Sequence, residues 1–141
     1  MKKLLLLLVI AGVVSLSVGY YLYNMPAKNL TKVQPDVRVS SNTLMAAFED
    51  DEDQANGVYL GKVIEVNGKI SSVDVNDDGS AQIMLESESM MGGISCNFEA
   101  VDIENFVPKL KVGQIAVFKG NCTGYLMDVV LERCVVVNIN E

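Results

Sequence analysis

The sequence contains no histidine and no tryptophan. Without histidine, the side chain that titrates nearest neutral pH and the commonest zinc ligand are both missing. Cysteine is scarce as well. Cys96, Cys122 and Cys134 are the whole set, and no two of them stand in a C-x-x-C pair, which argues against a metal or dithiol redox motif. There is no glycine-rich phosphate loop, and no pair of carboxylates is recognisably placed for acid–base work. These absences describe a binding module rather than an enzyme, and they imply no cofactor.

Positive charge is also in short supply. The 141 residues hold 11 Lys and Arg against 18 Asp and Glu, a formal net charge of −7. Because Lys2 and Lys3 precede the first apolar run, residues 24–141 alone carry −9. A protein that holds a phosphate backbone normally clusters Lys and Arg, so the average field disfavours a nucleic-acid partner.

The first 23 residues are different in kind. After Met1-Lys2-Lys3 an apolar run extends over residues 4–22, broken only by Ser15, Ser17 and small glycines. That length suffices to cross ~30 Å of hydrocarbon at ~1.5 Å per residue. Tyr20, Tyr21 and Tyr23 crowd its far end, where aromatic rings favour the membrane–water interface. The leading lysines favour a cytoplasmic N-terminus, with the remaining chain outside. The same run also fits a cleaved signal peptide, because Leu4–Val14 alone can serve as the apolar region and Ser15-Leu16-Ser17 or Ser17-Val18-Gly19 as the cleavage site. No cysteine lies near its end to accept a lipid. Either way the domain is exported.

Residues 24–40, with Pro26 and Pro35, are expected to form an extended tether. Ser40 or Ser41 can cap a helix in which Leu44 and Phe48 form an i,i+4 apolar pair, and the acidic run Glu49–Asp53 lies on its solvated face. From Val58 the pattern changes to strands. Ile64, Val66 and Ile70 share one side, whereas Val73 and Val75 have the opposite parity, so a bend or bulge is expected, with Gly68 permitting it. After the turn Asn76-Asp77-Asp78-Gly79, Ala81, Ile83 and Leu85 point inward, as do Ile94, Cys96 and Phe98 in a third strand. A short helical connection over Ala100–Leu110 precedes two further apolar strands, Ile115–Cys122 and Val129–Val137. Strand, strand, strand, short helix, strand, strand is the order of a five-stranded Greek-key barrel of the OB type, whose closure removes exposed edges. The expected organisation is an anchor or signal over 1–23, a linker over 24–40, and a mainly β domain with a preceding α-helix over 41–141.

Three stretches carry a family resemblance: Tyr59-Leu60-Gly61-Lys62-Val63-Ile64-Glu65-Val66-Asn67-Gly68-Lys69, Leu110-Lys111-Val112-Gly113-Gln114, and the hairpin from Lys119 to Leu131 followed by Cys134. Together they resemble the tRNA-anticodon-binding-like OB-fold family of bacterial envelope proteins, many of which carry an N-terminal anchor or a lipoprotein signal. The resemblance implies an OB fold, with a single-pass location in the bacterial inner membrane and a periplasmic domain, or secretion after cleavage. It also suggests a Cys122–Cys134 disulfide, which an exported domain permits. The function expected is a membrane-tethered binding or interaction module of the envelope, and the alternative is binding of single-stranded nucleic acid by fold analogy.

Candidate ligand contacts follow from the fold. OB barrels present ligands to their second and third strands and adjoining loops, which places Met84 and Asn97 on the face and Tyr125 in the last hairpin loop. Met90 and Met91, beside Gly92-Gly93, form an adaptable apolar surface or cap the barrel end. Asp74-x-Asn76-x-Asp78-Gly79 matches half of a calcium loop, but its twelfth position is Leu85. Ordinary hairpin chemistry explains it better.

Overall fold

Alternation of apolar and polar residues from Val63 onward produces one long strand, around which the remaining elements are organised. The structure, a computed structural model, describes residues 2–23, 29–90 and 92–140, without the side chains of residues 2, 4–8 and 22. The long strand, β2 (Val63–Val75), buries Ile64, Val66, Gly68 and Ile70 and leaves intervening residues outward. Its first half pairs antiparallel with β5 (Ile115–Tyr125) and its second half with β3 (Ala81–Leu85). The register shifts between Ile70 and Ser72. This bulge reverses the parity and turns Val73 inward, so the phase change is real but lies beyond Gly68. Gly68 serves a different purpose: a Cβ there would lie 2.7 Å from Ser41 Oγ and 3.1 Å from Leu85 Cβ.

β3 pairs with β4 (Ile94–Phe98), which runs parallel to β6 (Val129–Asn140), and β6 pairs antiparallel with β5. Pairing of β5 with β2 completes the circle, giving a closed barrel in the order β2-β3-β4-β6-β5. Ile64, Val66, Ile83, Leu85, Cys96 and Leu131 are fully buried inside it, and Phe98 meets Phe118 edge to face at 5.0 Å. Between β4 and β5 the short helix Ala100–Ile103 buries Ile103, and a 3-10 turn at Val107–Lys109 leads to buried Leu110.

Ahead of the barrel the expected single helix is two, α2 (Ser41–Asp50) and α3 (Glu52–Tyr59). Ser40 caps α2 by accepting from the Thr43 N–H. Asp51 ends that helix and caps the next, accepting from the Gln54 N–H at 3.0 Å. Part of the acidic run is therefore a capping device. Leu44, Met45, Phe48 and Ala55 are buried. Since α3 continues through Tyr59, the first barrel strand starts at Val63 rather than near Val58.

The segment expected to be a tether is docked for much of its length. Leu30 is buried in a 3-10 turn, Leu30–Lys32, and β1 (Val37–Ser40) pairs parallel with β2. Lys119 of β5 donates to the backbone carbonyls of Thr31 (3.3 Å) and Val33 (2.8 Å), and Arg38 pairs with Glu65 at 3.1 Å. Residues 24–28 lie outside the described set. The N-terminal run forms one helix, α1 (Lys2–Tyr23), whose described side chains are exposed. Among the described residues no helix is long and apolar enough to cross a membrane. The spanning helix expected over residues 4–22 is thus not established by the fold, and the side chains of 4–8 and 22 lie outside the described residues.

Candidate functional site at the loop end of the barrel

Two surfaces of the barrel carry the expected contact residues: the outer face of β3 and β4, and the barrel end where the β3–β4 and β5–β6 loops meet. On the outer face, the Gln82 amide donates to Ser95 Oγ at 2.8 Å and the Asn97 amide to Glu132 at 2.8 Å. Ser95 is buried and Met84 is half-buried. A shallow depression of about 350 Å³ includes Asn76, Gln82, Asn97, Glu99, Glu132 and Arg133. Arg133 holds a left-handed φ of 55°, a conformation that a non-glycine residue adopts at some cost. Arg133 is the one basic residue lining this depression, which also includes Glu99 and Glu132. The amide donors are engaged with each other's neighbours, and the face offers no aromatic platform.

The adjoining turn is a hairpin. Gly79 has φ 84°, the Asn76 N–H donates to the Ser80 carbonyl at 2.8 Å, and Asp78 accepts from both the N–H and hydroxyl of Ser80. The Ser80 hydroxyl, followed by its N–H, holds the Asp78 carboxyl below its ordinary range. Among the described residues no group of three or more Cys, Asp or Glu could hold a metal ion.

The loop end is built otherwise. Phe48 of α2 lies under it, with its ring 5.9 Å from Tyr59 and 5.6 Å from Tyr125. The 86–93 loop is tied to α2, since Asn42 donates to Glu88 at 3.0 Å, accepts from the Glu88 N–H at 3.1 Å, and Ser89 donates to Glu49. It is tied equally to the β5–β6 loop. The Gly93 N–H donates to Asp128 at 2.8 Å, the Val129 N–H to the Gly93 carbonyl at 3.0 Å, and a Cβ on Gly92 would lie 2.0 Å from the Met127 carbonyl oxygen. Above this ordered base the apolar side chains face solvent: Met90 is 101% exposed, Leu126 89% and Met127 68%. Leu60, also exposed, approaches Gly124 on the neighbouring strand.

The expected contacts therefore separate. Met90 stands free at the loop end, and Met91 lies outside the described residues. Tyr125 is half-buried on Phe48, so it is part of the base and not a free stacking platform. Met84 and Asn97 sit on the outer face, and the Met84 methyl lies close to Gly93 at the foot of the loop. Leu126, Met127 and Leu60 add to the expected set. The sequence signal for the first two is an apolar pair inside a hairpin loop, Tyr125-Leu126-Met127-Asp128, where polar residues are the norm; Leu60 carries no such signal.

All three cysteines are buried and free. The disulfide that the resemblance implied between Cys122 and Cys134 is not formed. Strand register sets Cys122 opposite Leu131, and Cys134 neighbours Cys96 instead. Burial pushes the Cys134 thiol well above its usual pKa, with Cys96 adding to the shift, and burial also raises Cys122.

Strand order, parallel closure and the position of the short helix define an OB-fold barrel. The chain belongs to the tRNA_anti-like family, whose model matches residues 1–136. A solved structure from Klebsiella pneumoniae subsp. pneumoniae, described as a "putative nucleic acid-binding lipoprotein", superposes with a TM-score of 0.59 at 17% identity, covering 81% of this chain and 100% of that one. At this identity the likeness concerns the fold. No curated protein matches the chain significantly.

Proposed function

We propose that the chain is a tethered binding module of the bacterial cell envelope that presents the loop end of its OB barrel to a protein partner. The observation that carries this reading is the exposure of Met90, Leu126 and Met127 above loops fixed by hydrogen bonds on both sides. Exposed apolar side chains on adjoining loops are a feature of interaction surfaces, and methionine adapts to an irregular partner. A preordered base lowers the entropy lost on binding. The lack of histidine and of any acid–base pair supports a binding role over catalysis.

Tethering rests on α1. Its described side chains from Val9 to Val18 are apolar or small, and the two polar interruptions are satisfied internally: Ser15 donates to the Ala11 carbonyl and Ser17 to the Val13 carbonyl. The solved relative is itself described as a lipoprotein, which supports an envelope location. The same segment serves as anchor, or as export signal if it is cleaved. Alkaline extraction of membranes and N-terminal sequencing of the mature protein distinguish the two.

The loop end is tested by cross-linking and capture from envelope membranes with the full chain. Changing Met90, Leu126 and Met127 together to Ser is expected to abolish the captured partner while leaving the fold intact. Undiminished capture would sink the assignment. Single-stranded nucleic acid is the second reading, supported by the description of the solved relative and by Arg133 on the outer face.

A further inference from the structure

Beyond Leu131, one edge of β6 has no strand partner among the described residues. Its parallel pairing with β4 ends at Cys96 and Leu131, whereas β5 accompanies it as far as Asn140. From Glu132 to Asn140, β5 is thus its one strand neighbour among the described residues. No turn or loop among them donates a backbone hydrogen bond to Val136–Asn140 or accepts one from it. Such an edge is a template for an added strand.

A groove of about 740 Å³ runs beside this edge, between Val136–Ile139 and the segment from Phe106 to Gln114. Its lining holds two lysines, Lys109 and Lys111, and no carboxylate, in a chain with 18 acidic residues. Lys109 Nζ sits 5.9 Å from the Phe106 ring centre. Among the described residues neither lysine has an acidic partner, since the ion pairs there are Arg38–Glu65 and Lys69–Glu86. Val137 and Ile115 are exposed nearby.

We propose that this groove is a strand-addition site for an extended peptide bearing carboxylate side chains. The peptide backbone continues the sheet along β6, apolar side chains pack on Val137, and carboxylates reach Lys109 and Lys111. Backbone bonding supplies affinity and the lysines supply selection, a division of labour common to strand addition. The site shares no residue with the loop end and goes beyond the function proposed above.

The test uses the full chain in detergent micelles and fluorescence anisotropy of a labelled peptide of alternating valine and glutamate. It is expected to bind, to lose about tenfold or more in affinity with the Lys109→Glu/Lys111→Glu variant, and to lose as much when alternate peptide amides are N-methylated. The two lysines are exposed, so charge reversal leaves the fold intact. The corresponding valine–lysine peptide is expected not to bind. Amide NMR shifts are expected over Val136–Asn140. Absence of binding, indifference to N-methylation, or shifts elsewhere would each overturn the proposal. So would displacement by oligothymidylate as effective as by unlabelled peptide, because simple charge attraction needs no strand edge. The Met90, Leu126 and Met127 variant is expected to bind this peptide normally, which separates this result from the loop-end test.

Discussion

Cys134 sits fully buried in the barrel, its thiol directed at the Leu131 carbonyl at 3.4 Å and its neighbour Cys96 equally enclosed. A thiolate there would lose solvation, so the folded protein keeps the proton to a higher pH than the unfolded chain does. The sign follows. Below the unfolded thiol's pKa of about 8.5 the stabilisation is fully present, and it is lost as pH rises from there toward the raised folded value, by up to about 1.4 kcal/mol per pH unit. Cys134→Ala is expected to be less stable near neutral pH, by about 1–2 kcal/mol for lost packing, with a deficit that narrows above about pH 9. Urea unfolding across that range checks it, and a constant deficit would contradict the burial argument. Gly68 is constrained by packing. A methyl group there meets Ser41 Oγ and Cβ at 2.7 and 2.9 Å. Gly68→Ala is therefore expected to cost about 1–3 kcal/mol, and Ser41→Gly in the same chain is expected to restore part of it. Independent, additive effects in the double-mutant cycle would show that the contact is not the cause.

At the scale of elements, Lys119 joins the N-terminal segment to the barrel. It is the one buried lysine among the described residues, and its ammonium group is held by the Thr31 and Val33 carbonyls above Leu30. Lys119→Met keeps the apolar stem but removes both charge-assisted bonds. A loss of about 1–3 kcal/mol is expected, together with faster amide exchange confined to residues 30–40. Exchange unchanged in that segment would show that β1 pairing alone holds it. This docking also explains the limits of the sequence. The barrel was legible because Ile64, Val66, Ile83, Leu85, Cys96 and Phe98 alternate cleanly with outward residues, and that period is fixed by strand geometry. Val37 and Val39 alternate too, but Pro35 and the short length made the segment look like linker. Only its parallel contact with β2, distant in sequence, makes it a strand. Likewise the acidic run hid Asp51 as the boundary between two helices. For the candidate site, Met90 could be picked from its loop, but the fate of Tyr125 depended on Phe48 lying beneath it, a tertiary contact between α2 and the last hairpin.

For the whole molecule, charge weighs against the nucleic-acid reading. An OB barrel that holds single strands combines a positive groove with exposed rings. Here the outer face carries Glu99 and Glu132 around a single Arg133, the adjoining turn adds Asp77 and Asp78, and the net charge is −7. The tyrosine best placed for stacking is engaged with Phe48. Oligothymidylate is therefore expected to give no gel shift with micromolar protein at ~0.15 M salt, where protein–phosphate attraction is already weakened. Neutralising Asp77 and Asp78 to Asn together with Glu99→Gln is expected to permit a weak, salt-sensitive shift at low ionic strength, because it removes three charges that repel phosphate. If the unaltered chain binds at ~0.15 M salt and Arg133→Ala abolishes binding, the outer face is the ligand site. The partner must then be sought among oligonucleotides, with the apolar loop end relegated to packing. If neither form binds at any salt, the face lacks the contacts as well as the charge, and the binding role rests on surfaces other than this face, the exposed methionines and leucine of the loop end among them.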